Sequence, residues 1–151
     1  MADTSLRNAV GYRNNNGGMA TVLIVEDEEQ VRVLAESYLR EQGHVTRSAA
    51  TKEQALAVLE VAKVDLLFVD VGLYDDRQVG LDLAKEAVER LPELKVLYTT
   101  GQPVTDGMKA LFVGKSALLP KPYTVEQLQA VLAIRFGFKP VNVPTTPSVP
   151  T

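Results

Sequence analysis

The chain has 151 residues, 46% of them hydrophobic, with a formal net charge of -3 and a mean hydropathy near zero, the balance of one globular domain with a sizeable core. It contains no cysteine, which excludes disulfide frameworks, thiolate nucleophiles and Cys-bound zinc or iron–sulfur centres. No apolar run approaches the roughly 18 to 20 residues of a membrane span, and the N-terminus lacks the basic start and apolar stretch of a secretory signal, so the expectation is a soluble, cytoplasmic protein. Between Met19 and Phe136 stand 13 basic and 18 acidic side chains, a net of -5 without any Lys/Arg run, which argues against direct nucleic-acid binding. The single histidine, His44, follows Gly43 and is expected at the surface or in a turn, with no catalytic role.

Residues 1–18 end in Asn14-Asn15-Asn16-Gly17-Gly18 and read as a disordered arm, with Met19 a second candidate start. Thr21 to Val25 is a short, mostly β-branched run, the pattern of a strand buried on both faces. Val31, Leu34, Ala35, Tyr38 and Leu39 recur at helical spacing up to Gly43. Val45 to Ser48 reads as a second strand, and Thr51-Lys52-Glu53-Gln54 as a capping box opening a helix with Ala55, Leu56 and Leu59 inward. Leu66 to Val69 is a third strand ending at Asp70. Leu81, Ala84, Val88 and Leu91 share a helical face stopped by Pro92. Lys95 to Thr99 is a fourth strand, followed by a short helix around Thr105 to Val113 and a weak strand at Ala117-Leu118-Leu119. Thr124-Val125-Glu126-Gln127 opens a last helix carrying Leu128, Val131, Leu132 and Arg135. From residue 137 a Pro-rich, flexible tail carries Pro140, Pro144, Pro147 and Pro150. One α/β domain over residues 19–136 follows: five strands alternating with five helices, hence a parallel sheet covered on both faces.

Ligands of such sheets bind beyond the carboxyl ends of the strands. Those positions hold Glu26-Asp27-Glu28-Glu29, Asp70, Thr99-Thr100-Gly101 and Lys121-Pro122. Crowded carboxylates repel one another unless a cation joins them, and an all-oxygen set suits a hard ion such as Mg²⁺. A lysine and a hydroxyl beside a metal-bound carboxylate make a site for phosphoryl transfer, with the carboxylate as nucleophile. The bland alternatives are an acidic first helical turn for Glu26 to Glu29, a turn-capping Asp70 and a solvated Lys121, and each leaves the other positions unexplained.

The acidic pair Glu26-Asp27, the strand-end Asp70, Thr100 and Lys121-Pro122, in this order, resemble the receiver domain of two-component response regulators. The resemblance implies a flavodoxin-like, doubly wound five-stranded parallel sheet of order 2-1-3-4-5 with helices on both faces. It also implies that Asp70 is the phosphoacceptor. Asp27, Asp70 and the backbone carbonyl of Gly72 would hold Mg²⁺, with Glu26 acting through a bound water. Lys121, before a cis-proline, would pair with Asp70 and then with its phosphoryl group, and Thr100 would turn inward to hydrogen-bond that group. The implied role is a stand-alone phosphorelay regulator rather than an enzyme, charged by a sensor histidine kinase or a histidine phosphotransfer protein. It would signal to a downstream protein through the fourth helix, fifth strand and fifth helix, a surface that would also serve a homodimer.

Some positions depart from that pattern. The aromatic residue usual three positions before the lysine is Leu118 here, so Leu118 is an atypical switch position. Tyr98-Thr99-Thr100-Gly101-Gln102 is similar to the Phe-Ala-Thr-Gly-X-Tyr signature of the atypical FAT GUY receiver subclass, which also lacks that aromatic, and the chain departs from the signature's later tyrosine. Gln102, near the mouth of the site, is a candidate for tuning hydrolysis. The loop Val71 to Val79 is long and carries Tyr74-Asp75-Asp76 in place of the common proline, with Asp75 and Asp76 expected as exposed charges. A haloacid-dehalogenase-type phosphatase would need an Asp where Gly72 stands, a nucleotide switch would need a GxxxxGK[ST] loop, and a flavin module a Ser/Thr/Gly-rich loop after the first strand. The remaining alternative is a receiver-like interaction module that no longer depends on phosphorylation.

Overall fold

The computed structural model describes residues 12–13, 20–73 and 76–140. The expected arm over 1–18, apart from Tyr12 and Arg13, the expected tail beyond Pro140, the candidate start Met19 and the loop residues Tyr74 and Asp75 lie outside the described residues. Five parallel strands form the sheet: β1 (Thr21–Val25), β2 (Val45–Ala49), β3 (Leu66–Asp70), β4 (Lys95–Thr100) and β5 (Lys115–Pro120), in the order β2-β1-β3-β4-β5. This is the expected order. All five residues of β3 are buried, as a central parallel strand requires.

Side-chain alternation builds two apolar layers. Leu23, Val25, Leu67, Val69, Val96 and Tyr98 face α2 (Lys52–Val61) and α3 (Arg77–Arg90), packing against Ala55, Leu59, Ala84 and Ala87. Val22, Ile24, Leu66, Phe68 and Leu97 face α1 (Glu29–Glu41) and α5 (Val125–Phe136), packing against Ala35, Leu39, Leu128 and Leu132.

Caps set the helix starts. The Thr124–Gln127 capping box is complete. The Thr51 hydroxyl accepts from Gln54 N at 3.0 Å, but Gln54 returns its side chain to Ala50 N at 2.8 Å, one residue earlier than a capping box requires. Asp76, exposed as expected, accepts from Gln78 N at 3.0 Å and so starts α3.

Three features differ from expectation. The helix expected over Thr105 to Val113 is one turn only, α4 (Asp106–Lys109). Tertiary contacts end it: the Phe112 ring stacks on Tyr98 with centroids 3.9 Å apart, and Val113 N donates to Tyr98 Oη at 3.0 Å. Phe138, in the segment expected as flexible tail, is fully buried beyond the left-handed Gly137 that ends α5. Its neighbours Lys139–Pro140 pair antiparallel with Tyr12–Arg13.

His44 is the third. It is buried, not at the surface, because Gly43 (φ 94°) turns the chain from α1 directly into β2 under the Phe138 ring, 6.1 Å away. Burial lowers its pKa from 6.5 to about 4. Between those values the unfolded chain takes up a proton that the native imidazole refuses, so stability is full above pH 6.5 and is lost as the pH falls towards 4. Urea titrations at pH 7 and pH 4.5 should show His44→Leu losing roughly 2 to 3 kcal/mol less than the wild type on acidification. Equal losses in the two proteins would refute this assignment.

Candidate functional site

The carboxyl edge of the sheet gathers the charged residues. Asp70, the last residue of β3, continues the parity of Leu66 and Phe68, as Glu26 continues that of Val22 and Ile24 and Lys121 that of Ala117 and Leu119. The three therefore emerge on the same side. Backbone bonds carry the ladder beyond the strands and fix these ends: Glu26 N donates to Ala49 O at 3.1 Å, Val71 N to Thr99 O at 2.8 Å and Lys121 N to Thr100 O at 2.9 Å. The Lys121–Pro122 bond is cis, as the resemblance implied.

Lys121 Nζ donates to Glu26 Oε1 at 2.9 Å and to Asp70 Oδ2 at 3.1 Å. The other oxygens are also held: Asp70 Oδ1 accepts from Gly72 N at 2.9 Å and Glu26 Oε2 from Glu28 N at 3.2 Å. Glu26 and Asp70 are buried, and Lys121 keeps 23% of its side chain exposed. Burial pushes Glu26 up to about 7; the Asp70 charge adds to this and the Lys121 hydrogen bond works against it. Burial alone would lower the Lys121 ammonium, yet its hydrogen bond to Glu26 and the charge of Asp70 outweigh that and hold it above its ordinary value.

Carboxylate oxygens of Glu26, Asp27 and Asp70 lie within 4.8 Å of one another. When all three are ionised, one ammonium leaves an excess of two negative charges, which is the charge of one divalent cation. The donor set is all oxygen, so the residues present fit a hard ion of the Mg²⁺ type. A cavity of about 440 Å³ opens over them, also lined by Gly72, Thr100 and Gln102. Thr100 is buried, with its hydroxyl accepting from Gln102 N at 3.1 Å.

The expected site residues thus meet at one cavity, with one exception. Leu118 packs on the opposite layer, beside Val69 and Tyr98, and Tyr98 is its register partner on β4. An aromatic ring is therefore present next to that position, one strand away.

Sequence reasoning missed the Lys121–Glu26 bond, because the ammonium was paired with Asp70 alone; the matching parity of residues 26 and 121 at their strand ends was the available signal. It also missed a groove of about 600 Å³ between α1 and the β5–α5 loop, lined by Val31, Leu34, Tyr38, Pro122 and Tyr123. Tyr123 packs its ring 6.0 Å from Phe68, and burial pushes its phenol up to about 12.

A doubly wound α/β sheet with an acidic, lysine-bearing pocket at its carboxyl edge defines the class. The family model for the response regulator receiver domain matches residues 22–133, and the chain belongs to that family. The chain is 32% identical over 114 residues to the sensor kinase CckA of Brucella abortus, covering 74% of this chain and 12% of CckA. It is 33% identical over 114 residues to the aerobic respiration control sensor protein ArcB of Escherichia coli, covering 74% of this chain and 14% of ArcB. It therefore spans a small fraction of these relatives. Among solved structures, the CheY-like receiver domain protein of Methanospirillum hungatei superposes with a TM-score of 0.70 at 21% identity, covering 78% of this chain and 94% of that one. Domains of this family are regulatory phosphoacceptors rather than classical enzymes, and they bind Mg²⁺ at an acidic pocket and interact with sensor kinases or phosphotransfer proteins. No helix among the described residues is long and apolar enough to cross a membrane.

Proposed function

We propose that this chain is a phosphorelay regulator that accepts a phosphoryl group onto Asp70 from the phosphohistidine of a sensor kinase or phosphotransfer protein. The observation that carries the reading is the Asp70 carboxylate, buried among Glu26 and Asp27 and held 3.1 Å from Lys121 Nζ. An Asp70 oxygen attacks phosphorus, the N–P bond breaks, and the donor histidine keeps the electron pair and takes up a proton. Asp27, Asp70 and the Gly72 carbonyl are the proposed Mg²⁺ ligands, with Glu26 acting through a water. When bound, Mg²⁺ neutralises the phosphoryl oxygens. Lys121 neutralises a further oxygen, and Thr100 donates its hydroxyl to the same group. Thr100 and Gln102 share one hydrogen bond, so turning the Thr100 hydroxyl towards a phosphoryl group pulls on the loop after β4. That loop borders the surface of α4, β5 and α5, which is the proposed docking face for a downstream protein.

The apolar groove beside Lys121 suits the donor protein, since a partner seated on Leu34, Tyr38 and Pro122 brings its phosphohistidine to the mouth of the pocket. Incubation with acetyl phosphate and Mg²⁺, or with a phosphorylated kinase, should add one phosphoryl group to the intact mass. A chain that takes no label from either donor refutes the reading.

Leu118 sits away from the reacting groups, so Leu118→Tyr should label at a rate within about twofold of the wild type. A folded Leu118→Tyr variant that no longer labels would show that this position belongs to the chemistry.

A further inference from the structure

Thr99, one residue before the hydroxyl assigned to the phosphoryl group, points the other way along the strand. It is 4% exposed, and its Oγ1 has no hydrogen-bond partner among the described residues. A hydroxyl left so in an apolar layer costs about 1 to 3 kcal/mol. Nothing in the β4 backbone requires it there, because a valine has the same shape and fits a parallel strand at least as well.

The space it borders explains it. Thr99 lines a small cavity of about 10 Å³ with Glu26, Phe68 and Tyr123, which is room for one water molecule. Glu26 lines both this cavity and the open acidic pocket. Its oxygens are at present held by Lys121 and by Glu28 N. A cation or a phosphoryl group at Asp70 competes for Lys121, and Glu26 then needs another donor to stay in place.

We propose that Thr99 is a positioning residue: its hydroxyl and the Glu26 carboxylate share one buried water in this cavity, which holds Glu26 in place when Lys121 is drawn away. The hydroxyl anchors the water, the water donates to Glu26, and the carboxylate keeps facing the cation. The inference rests on the Mg²⁺ reading of the pocket.

Calorimetric titration of the full chain with Mg²⁺ tests it in three proteins. Thr99→Val keeps the shape and removes the hydroxyl, and its Mg²⁺ dissociation constant should rise about three- to tenfold, the effect of losing one ordinary hydrogen bond. Thr99→Ser restores the hydroxyl and should bind within about twofold of the wild type, although it packs less well. The melting temperature of Thr99→Val should equal or exceed that of the wild type, which separates positioning from folding. A high-resolution crystal structure of the wild type should show one water within hydrogen-bond distance of Thr99 Oγ1. Equal affinities for the wild type and Thr99→Val, a Thr99→Ser variant as weak as Thr99→Val, or a dry cavity would each overturn the inference. A wild type that binds no Mg²⁺ overturns the metal reading itself, a different and recognisable outcome.

Discussion

Asp70→Asn should take up no phosphoryl group from acetyl phosphate or from a phosphorylated kinase, while remaining folded. The amide has the shape of the carboxylate, and its oxygen can still accept from Gly72 N as Asp70 Oδ1 does at 2.9 Å, so β3 should end as before. What disappears is the nucleophile and one unit of charge. The loss of charge lowers the pKa of two neighbours. Glu26 is raised partly by the Asp70 charge and should fall towards its ordinary value, tightening its bond to Lys121. Lys121, which owes part of its elevation to the same charge, should fall as well. With one of three clustered carboxylates gone, Mg²⁺ affinity should drop by at least about tenfold, since a direct ligand and its charge are both lost. The variant should stay folded at pH 7, because a like-charge repulsion is relieved as the Asp70–Lys121 pair is lost and Lys121 keeps its bond to Glu26. Labelling that survives in Asp70→Asn would move the phosphoacceptor elsewhere, and Asp27 would be the first position to try.

The parts of this fold that were legible in the sequence are those decided by local chemistry. The Val22 to Val25 and Leu66 to Val69 runs are apolar on both faces, a pattern that suits a strand buried between helix layers. Thr124 and Gln127 announce their capping box three residues apart. The site was legible for a related reason: in a parallel sheet the residues after each strand converge, so Glu26, Asp70, Thr100 and Lys121 could be brought together without coordinates.

What escaped the sequence was decided by distant partners. The segment after Lys109 reads as a poorly periodic helix, and the Tyr98 ring and hydroxyl, 14 and 15 positions earlier, capture Phe112 and Val113 before a second turn forms. His44 looks like a polar turn residue until Phe138, at the far end of the chain, covers it. Thr99 and Thr100 look alike in sequence. Alternation sends one hydroxyl to the open pocket and the other to a cavity that exists only when Phe68 and Tyr123 are in place.

Tyr98 also bears on how the site reaches the surface. With leucine at position 118, no ring on β5 is available to follow a movement of Thr100. Tyr98 lies two residues before Thr100 on the same strand, is fully buried, and holds the loop after α4 through both its ring and its hydroxyl. Tyr98 thus ties the end of β4 to the α4–β5 loop by direct contact.

The second large effect is expected at Gly80, which carries no side chain of its own. A Cβ at this position of α3 would stand 2.7 Å from the Asp70 carbonyl oxygen and 3.0 Å from Val71 Cα. Both are backbone atoms of the strand end that carries the phosphoacceptor, so neither can swing aside as a side-chain tip would. Gly80→Ala must then push α3 away from β3 or displace the Asp70–Val71 peptide. Overpacking of this kind costs roughly 1 to 3 kcal/mol. Because the displaced peptide positions the Asp70 carboxylate, phosphoryl uptake should also slow in the fraction that folds. Gly107→Ala is the matched control: in α4 the nearest atom to its Cβ would be Thr105 Oγ1 at 3.8 Å, an ordinary contact. There the same substitution should be neutral or stabilising by up to about 1 kcal/mol, the helix-propensity gain of alanine over glycine. Urea unfolding of both variants, with acetyl phosphate labelling of each, measures the contrast. If Gly80→Ala unfolds at the wild-type midpoint and labels at the wild-type rate, α3 does not approach β3 as closely as described and does not hold Asp70 in place.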